Sequence, residues 1–460
     1  MRTDRIGQDT SSGPVFPLAL EQVTFNAIRE VLPDRLILQA CQAVGHQYRQ
    51  RVLTPVVTIL HMLLAAIWPE ESFQASADLL WDNAVAAGAA PAAQMPSSGS
   101  FAKARARLPL ALWRRVFDAV AAKAEALSTA WASWRGHRVV LVDGTCVSMP
   151  AEPTLFETFG RSTGRGGTRR YPLARMVALS LANTMTVLAY ALGAYRQSEQ
   201  ALLRTLVGQL REGDLLVGDR HYAGANLYAE YRAAGVHFLT RAHQRLKVDR
   251  LRPVTVYDEN DFVADLPVNR KHRKADPTLP KRVRVRLIRA TVATRQRPRQ
   301  TMWFVTSLLD AQAYPAEELV DVYAGRWRIE TLFRQVKIRL SADVLRSRTA
   351  DAVRKELAAR MTALNVIRCL MLEAAAAHNQ DPTRLSFVGA VRAILAFSPH
   401  MATAPPWKLP WLYEAMLTCM AHSLVPERPG RQEPRATRRE QKHYPQLRIT
   451  RQQWKQQWVA

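Results

Sequence analysis

The chain has 460 residues, enough for about three domains with ample core material. Its 64 Lys and Arg outnumber 39 Asp and Glu, a formal net charge of +25 at pH 7, which points to a polyanionic partner, nucleic acid ahead of a membrane surface. The cysteines Cys41, Cys146, Cys369 and Cys419 are far apart with no C-x-x-C pair, which argues against a disulfide scaffold and a structural zinc site and suits a reducing cytosol.

Residues 1–24 carry acids and polar groups rather than a charged head and an apolar run, so they read as a mobile arm and not a signal peptide. Two apolar stretches, 52–67 and 173–195, invite a membrane reading. The first is short and holds a proline and a histidine, the second is interrupted by Arg175 and Asn183, and buried soluble structure is expected for both. Residues 25–130 have helical periodicity and no strand-like runs. After the turn PSSGS, the segment FAKARARLPLALWRRVF predicts a helix capped near Ser98 or Ser100. Lys103, Arg105, Arg107, Arg114 and Arg115 make it basic enough to lie in a DNA major groove, or simply to be a solvated helix face.

The character changes at His137. HRVVLVDGT predicts a buried strand delivering Asp143 at its tip, and DLLVGDRHY predicts a second short strand ending in Asp219. Between them, ARMVALSLA and MTVLAYALGAY read as core strands joined at Asn183, followed by a helix from about Ser198 to Arg211. Residues 225–234 read as helix and VHFLTRA as strand; FVADL, RVRVRLIR and MWFVTSL then read as strands joined by basic connections. The expected class is α/β, a mixed sheet flanked by helices.

The stretch YAGRWRIETLFRQVK, residues 323–337, predicts a helix. At about 100° per residue, Tyr323, Arg326, Glu330 and Lys337 fall within roughly 60° on one face, with Arg334 at its edge. Ile329, Leu332, Phe333, Val336 and Leu340 gather on the other side, where a core can cover them. Charges at such spacing are usually an ion-paired, solvated face. A carboxylate so framed also suits a divalent cation, and the surrounding cations suit phosphate oxygens.

The pattern Y-x2-R-x3-E-x6-K, preceded by two aspartates at strand ends, resembles the YREK signature of DDE transposases of insertion-sequence family 4. The wording RVLTPVVTILHMLLAAIWPEESF resembles the N-terminal domain of many members. The resemblance implies a ribonuclease-H-like catalytic domain over 131–400 with a β-rich insertion at 241–315. The chain's own pattern and composition add an all-helical domain over 25–130 before it and a basic tail over 401–460 after it. The resemblance implies that Asp143, Asp219 and Glu330 are catalytic and hold two Mg²⁺ ions, with Mn²⁺ as a substitute. Tyr323, Arg326 and Lys337 would grip DNA, with Arg334, Arg220 and Tyr222 as further contacts. Trp303 would stack on a flipped-out base, or else pack in the core. The implied partners are double-stranded DNA, as terminal inverted repeats and target, and a second copy in a homodimeric synaptic complex, with no membrane, in the bacterial cytosol at the nucleoid. The implied reaction cuts the transposon end through a hairpin and joins the freed 3′-hydroxyl to target DNA. An inactive DNA-binding repressor derived from a transposase and a stand-alone metal-dependent nuclease are the alternatives.

Overall fold

The computed structural model describes residues 26–49, 51–69, 72–86, 95–164, 167–168, 171–294, 297–426 and 456. The arm expected at 1–24 and the end of the chain from 427, Gln456 apart, lie outside the described residues. The described residues from Asn26 to Val292 and from Thr301 to Pro426 form one compact unit.

The first part is helical: α1 (Asn26–Val31), α2 (Asp34–Ala43), α3 (Pro55–Ile67), α4 (Phe73–Ala86), α5 (Ser98–Arg107) and α6 (Leu110–Leu127). Thr54 caps α3 through its side chain and Pro55 opens it, where the missing N–H costs nothing. Every residue of α3 is buried, as its unbroken apolar run requires. His61 within it bonds the Phe73 carbonyl at 3.0 Å, and burial pushes its pKa down to about 4, so it stays neutral. No helix among the described residues is long and apolar enough to cross a membrane. The single helix expected through FAKARARLPLALWRRVF is two, because Pro109 forces Leu108 out of the helical region and restarts the chain as α6. The cap is Ser97, whose Oγ accepts from the Ser100 N–H at 3.3 Å, one residue earlier than expected.

Strands follow: β1 (His137–Ser148), β2 (Leu173–Leu181), β3 (Val187–Ala194), β4 (Leu215–Gly218), β5 (His237–Arg241), β6 (Pro253–Asp258), β7 (Asp261–Pro267), β8 (Arg282–Thr294) and β9 (Arg297–Thr306). They form one sheet in the order β3-β2-β1-β4-β5-β9-β8-β7-β6, with Ser133–Trp134 pairing the start of β1. The pairs β1–β2 and β2–β3 are antiparallel, while β4 runs parallel to both β1 and β5. All of β4 is buried, as a central parallel strand covered on both faces must be. The expected insertion at 241–315 does not stand apart, because β9 pairs antiparallel with β5 and continues the sheet.

Alternation along β1 divides the core. Val139 and Leu141 face one cluster and Val140 and Val142 the other. The remaining helices are α7 (Pro153–Phe159), α8 (Glu199–Arg204), α9 (Ala225–Ala233), α10 (Arg270–Ala275), α11 (Ala316–Ala324), α12 (Trp327–Arg334), α13 (Ala350–Ala377), α14 (Phe387–Thr403) and α15 (Leu409–His422). The helix expected over 198–211 stops at Arg204, where i→i−3 bonds from Thr205 and Leu206 tighten the chain into a 3₁₀ turn over Val207–Gln209. The 28-residue α13 shares one apolar cluster with the N-terminal helices, so those helices form a layer on the common core. The tail expected from 401 is likewise shifted. Pro410 opens α15 rather than breaking it, and Leu412, Met416, Leu417 and Met420 are buried, so residues 401–426 belong to the fold.

One buried ion pair fixes the connection into α13. Arg360 donates to Glu356 at 2.7 Å with both side chains under 5% exposed, and Glu356 also accepts from the backbone N–H groups of Arg346 and Ser347. Glu356→Ala strands a buried guanidinium and two N–H groups, so stability should fall by about 3–5 kcal/mol. Calorimetry of the variant beside the wild type measures this.

Candidate active site

The parallel register pairs Val142 with Gly218, the last residue of β4, so Asp143 on β1 and Asp219 just past the end of β4 each directly follow a paired residue. Asp143 is not at the tip of β1. That strand runs on to Ser148, paired throughout with β2, and Asp143 lies where β4 stops alongside it. The strand β4 stops because the Asp219 side chain turns to cap a 3₁₀ turn over Arg220–Tyr222, accepting from the His221 N–H at 2.7 Å. Gly218 leaves room for that turn, since a Cβ there would meet Tyr222 at 3.0 Å.

Glu330 reaches the same place from α12. The Arg326 guanidinium lies between the acids, 3.6 Å from Asp143 Oδ2 and 3.2 Å from Glu330 Oε1. Burial pushes the Asp143 pKa up to about 6; the Gly144 N–H and Arg326 oppose the rise, while Asp219 and Glu330 add to it. The three acids thus share one electrostatic neighbourhood. Burial also works against the Arg326 charge, but Tyr323, Asp143, Glu330 and Asp219 together hold its pKa above the ordinary value.

The helix expected over 323–337 is interrupted. Gly325, a poor helix former, ends α11, and i→i−3 bonds at Arg326, Arg328 and Ile329 tighten the turn before α12. Arg328 donates to Asn183 Oδ1 at 2.6 Å, which ties the start of α12 to the turn between β2 and β3. After Arg334 the chain widens into a π-helical turn over Gln335–Arg339, which takes Lys337 off the expected stripe. Burial lowers the Lys337 pKa, and Cys146, three residues beyond Asp143 on β1, and Asp343 partly offset this.

The other expected contacts divide. The Tyr323 ring is buried edge-to-face on Phe304, with centroids 4.7 Å apart, and its hydroxyl is turned to Arg326. Arg334 is exposed, and so is Arg220, which bonds Gln244 at 3.3 Å. Trp303 is half-buried, edge-on to Phe262, and lines a cleft of about 690 Å³ with Gln244, Lys247 and Arg289. Tyr222 is fully buried, its hydroxyl donating to Glu199 Oε2 at 3.0 Å, so the expectation that it touches DNA is corrected. Among the basic residues of α5 and α6, Lys103, Arg107, Arg114 and Arg115 are exposed. Arg105 is instead folded over the Phe73 ring at 4.1 Å. Glu199 carried no signal in the sequence beyond an acid opening a short helix, yet it packs directly on Gly144.

No group of three or more His, Cys, Asp or Glu side chains among the described residues is gathered tightly enough to hold a metal ion. Arg326 stands as the counter-ion of Asp143 and Glu330 instead. Carboxylates are the oxygen donors that a hard divalent cation takes, and Asp219 and Glu330 both act electrostatically on Asp143.

Residues 134–366 match the family model for the transposase DDE domain. The chain is 27% identical over 349 residues to transposase InsG for insertion sequence element IS4 of Escherichia coli (strain K12), covering 75% of this chain and 77% of that protein. The piggyBac transposase, solved by cryo-EM in a synaptic complex with hairpin DNA, aligns over 91% of this chain and 87% of its own, at 10% identity and a TM-score of only 0.42. The family match spans just over half of the chain, both aspartates and the Tyr323–Lys337 motif among its residues, and the chain therefore belongs to the transposase DDE domain family.

Proposed function

We propose that this protein cuts the ends of a DNA transposon and joins the freed 3′-hydroxyl to target DNA, with Asp143, Asp219 and Glu330 as its catalytic carboxylates. The observation that carries the reading is that Asp143 and Asp219 each directly follow the last paired residues, Val142 and Gly218, of two parallel strands, with Glu330 linked to Asp143 through one guanidinium. The antiparallel run β3-β2-β1 followed by parallel β4 and β5 supports a ribonuclease-H-like core. A domain order of N-terminal helical layer, core with β6–β9 as insertion, and basic C-terminal tail belongs to the same proposal.

DNA cleavage and strand transfer are in-line displacements at phosphorus. A pair of divalent cations, Mg²⁺ or Mn²⁺, held by Asp143, Asp219 and Glu330, supplies Lewis acidity and charge neutralisation. The chain's own residues prepare the place. Asp143 sits on β1 and Asp219 directly follows the last paired residue of β4, so parallel pairing brings both acids to the same end of that strand pair. Arg326 neutralises the acids while no DNA is bound, and a phosphate oxygen is the group for which it can exchange Asp143 and Glu330. Tyr323 holds Arg326 from below through its hydroxyl, and the core holds Tyr323. Lys337, Arg334 and Arg220 lie further out as phosphate contacts. Trp303, which lines the cleft beside Gln244 and Lys247, is the residue that would stack on an unpaired base. Exposed Lys103, Arg107, Arg114 and Arg115 offer the helical layer a DNA-facing surface, and a homodimer in the bacterial nucleoid completes the reading.

The test is a labelled fragment carrying one terminal inverted repeat and its flank, incubated with purified protein and Mg²⁺. A hairpin on the transposon end, followed by joined product when target DNA is added, is the expected result. Cleavage without any joined product would mark a nuclease, and binding without cleavage would mark a repressor.

A further inference from the structure

The close packing on Gly144 has a consequence for the site. Gly144 follows Asp143 on β1, so alternation turns it to the opposite face of the sheet. A Cβ at Gly144 would meet the Glu199 carboxylate at 2.3–2.7 Å, so that carboxylate lies against the strand and would have to shift to admit any larger residue there. Glu199 is fixed at the start of α8, where Ser198 caps the helix by accepting from the Ala201 N–H at 3.2 Å. Its Oε2 accepts from the Tyr222 hydroxyl at 3.0 Å, and Tyr222 is the last residue of the turn capped by Asp219. The next residue, Gln200, donates to the His221 carbonyl of that same turn at 2.7 Å.

We propose that Glu199 is a positioning residue: from behind the sheet, it braces the backbone next to Asp143 and, through Tyr222, the turn that carries Asp219, and so sets the separation of the two aspartates. This rests on the reading of Asp143, Asp219 and Glu330 as the reaction centre. Glu199 lies on the far side of the strand from the Asp143 side chain, so it acts through the strand and the turn and not as a fourth ligand. What the brace requires of it is an acceptor for the Tyr222 hydroxyl and bulk against Gly144, and glutamine supplies both. Alanine supplies neither, and Tyr222→Phe removes the hydrogen bond while keeping the buried ring.

The experiment measures Mn²⁺ binding to the full chain by electron paramagnetic resonance, below the melting temperature of each variant, together with cleavage of a terminal-repeat fragment. Residues that hold metal ligands in place from behind typically change affinity about 10–100-fold, so E199A and Y222F should each weaken Mn²⁺ binding and cleavage by that order. E199Q should stay within about threefold of wild type, the loss left by a weakened neutral hydrogen bond. Wild-type Mn²⁺ affinity in both E199A and Y222F overturns the proposal, and so does an E199Q variant as impaired as E199A, because charge and not bracing would then be at work. Asp143→Asn is the reference. Should it bind Mn²⁺ as wild type does, the reaction centre itself is misassigned; should it lose binding while E199A and Y222F keep it, only the brace fails.

Discussion

Replacing Glu330 by glutamine should abolish cleavage of transposon-end DNA while leaving binding of the same fragment near normal. The side chain keeps its size, and its amide oxygen still accepts from Arg326, which lies 3.2 Å from the carboxylate. What disappears is the charge a divalent cation needs from its ligand. Removing one preorganised electrostatic contact of a transition state typically costs 10²–10³-fold, and loss of a metal ligand should cost about 10³-fold or more. Binding depends mostly on phosphate contacts from cations the substitution leaves in place, so its salt dependence should be unchanged. A gel assay that reads binding and cutting on one labelled fragment separates the two. A glutamine variant that cuts like wild type would falsify the role given to Glu330 and leave α12 as a charged binding face.

The second large effect is expected at Asp143, with opposite signs in activity and stability. Burial, Asp219 and Glu330 push its pKa up to about 6 in the folded protein, against an ordinary 3.8. Between those two values the folded chain holds a proton that the unfolded chain has released, so stability falls as pH rises from 3.8 to 6. The difference, roughly 2 units, corresponds to on the order of 3 kcal/mol of destabilisation at neutral pH, of which Arg326 losing a partner in the variant takes back a part. Asp143→Asn removes the charge permanently. The variant should therefore lose cleavage as completely as E330Q and yet melt a few degrees higher than wild type at pH 7.5, the gap closing near pH 4. In the wild type, Mn²⁺ binding should rise as pH climbs through about 6, where Asp143 gives up its proton. Calorimetry at both pH values checks the stability arm. An asparagine variant that melts lower at pH 7.5 would mean that Asp143 matters more as the partner of Arg326 than it costs as a buried charge.

Much of the site was readable in the chain because it depends on local pattern. Continuous apolar runs marked β1, β2, β3 and β5, and the fixed spacing from Tyr323 to Lys337 marked Arg326 and Glu330 as neighbours one helical turn apart, which their ion pair bears out. The reading of Tyr222 went wrong for a reason of the same kind. A residue three positions beyond an acid in a polar turn reads as exposed, and only packing against Gly218 and Glu199 makes it core. The tail boundary expected at 401 failed in the other direction, since Pro410 opens a helix there and does not end one.

The sequence alone determined the basic charge, which is a simple sum over the chain, and the strand and helix types, the two aspartates and the motif, each of which rests on residues close together in the chain. The tertiary structure decided the rest. It put Asp143 in the middle of a long strand, since pairing with β2 and not composition sets where β1 ends. It placed Arg326 between acids 183 and 4 residues away in the chain, and Glu199 behind Gly144, 55 residues distant. Contacts at such separations depend on how the sheet closes and which faces meet. Those are properties of the packed whole, and no local run of side chains encodes them.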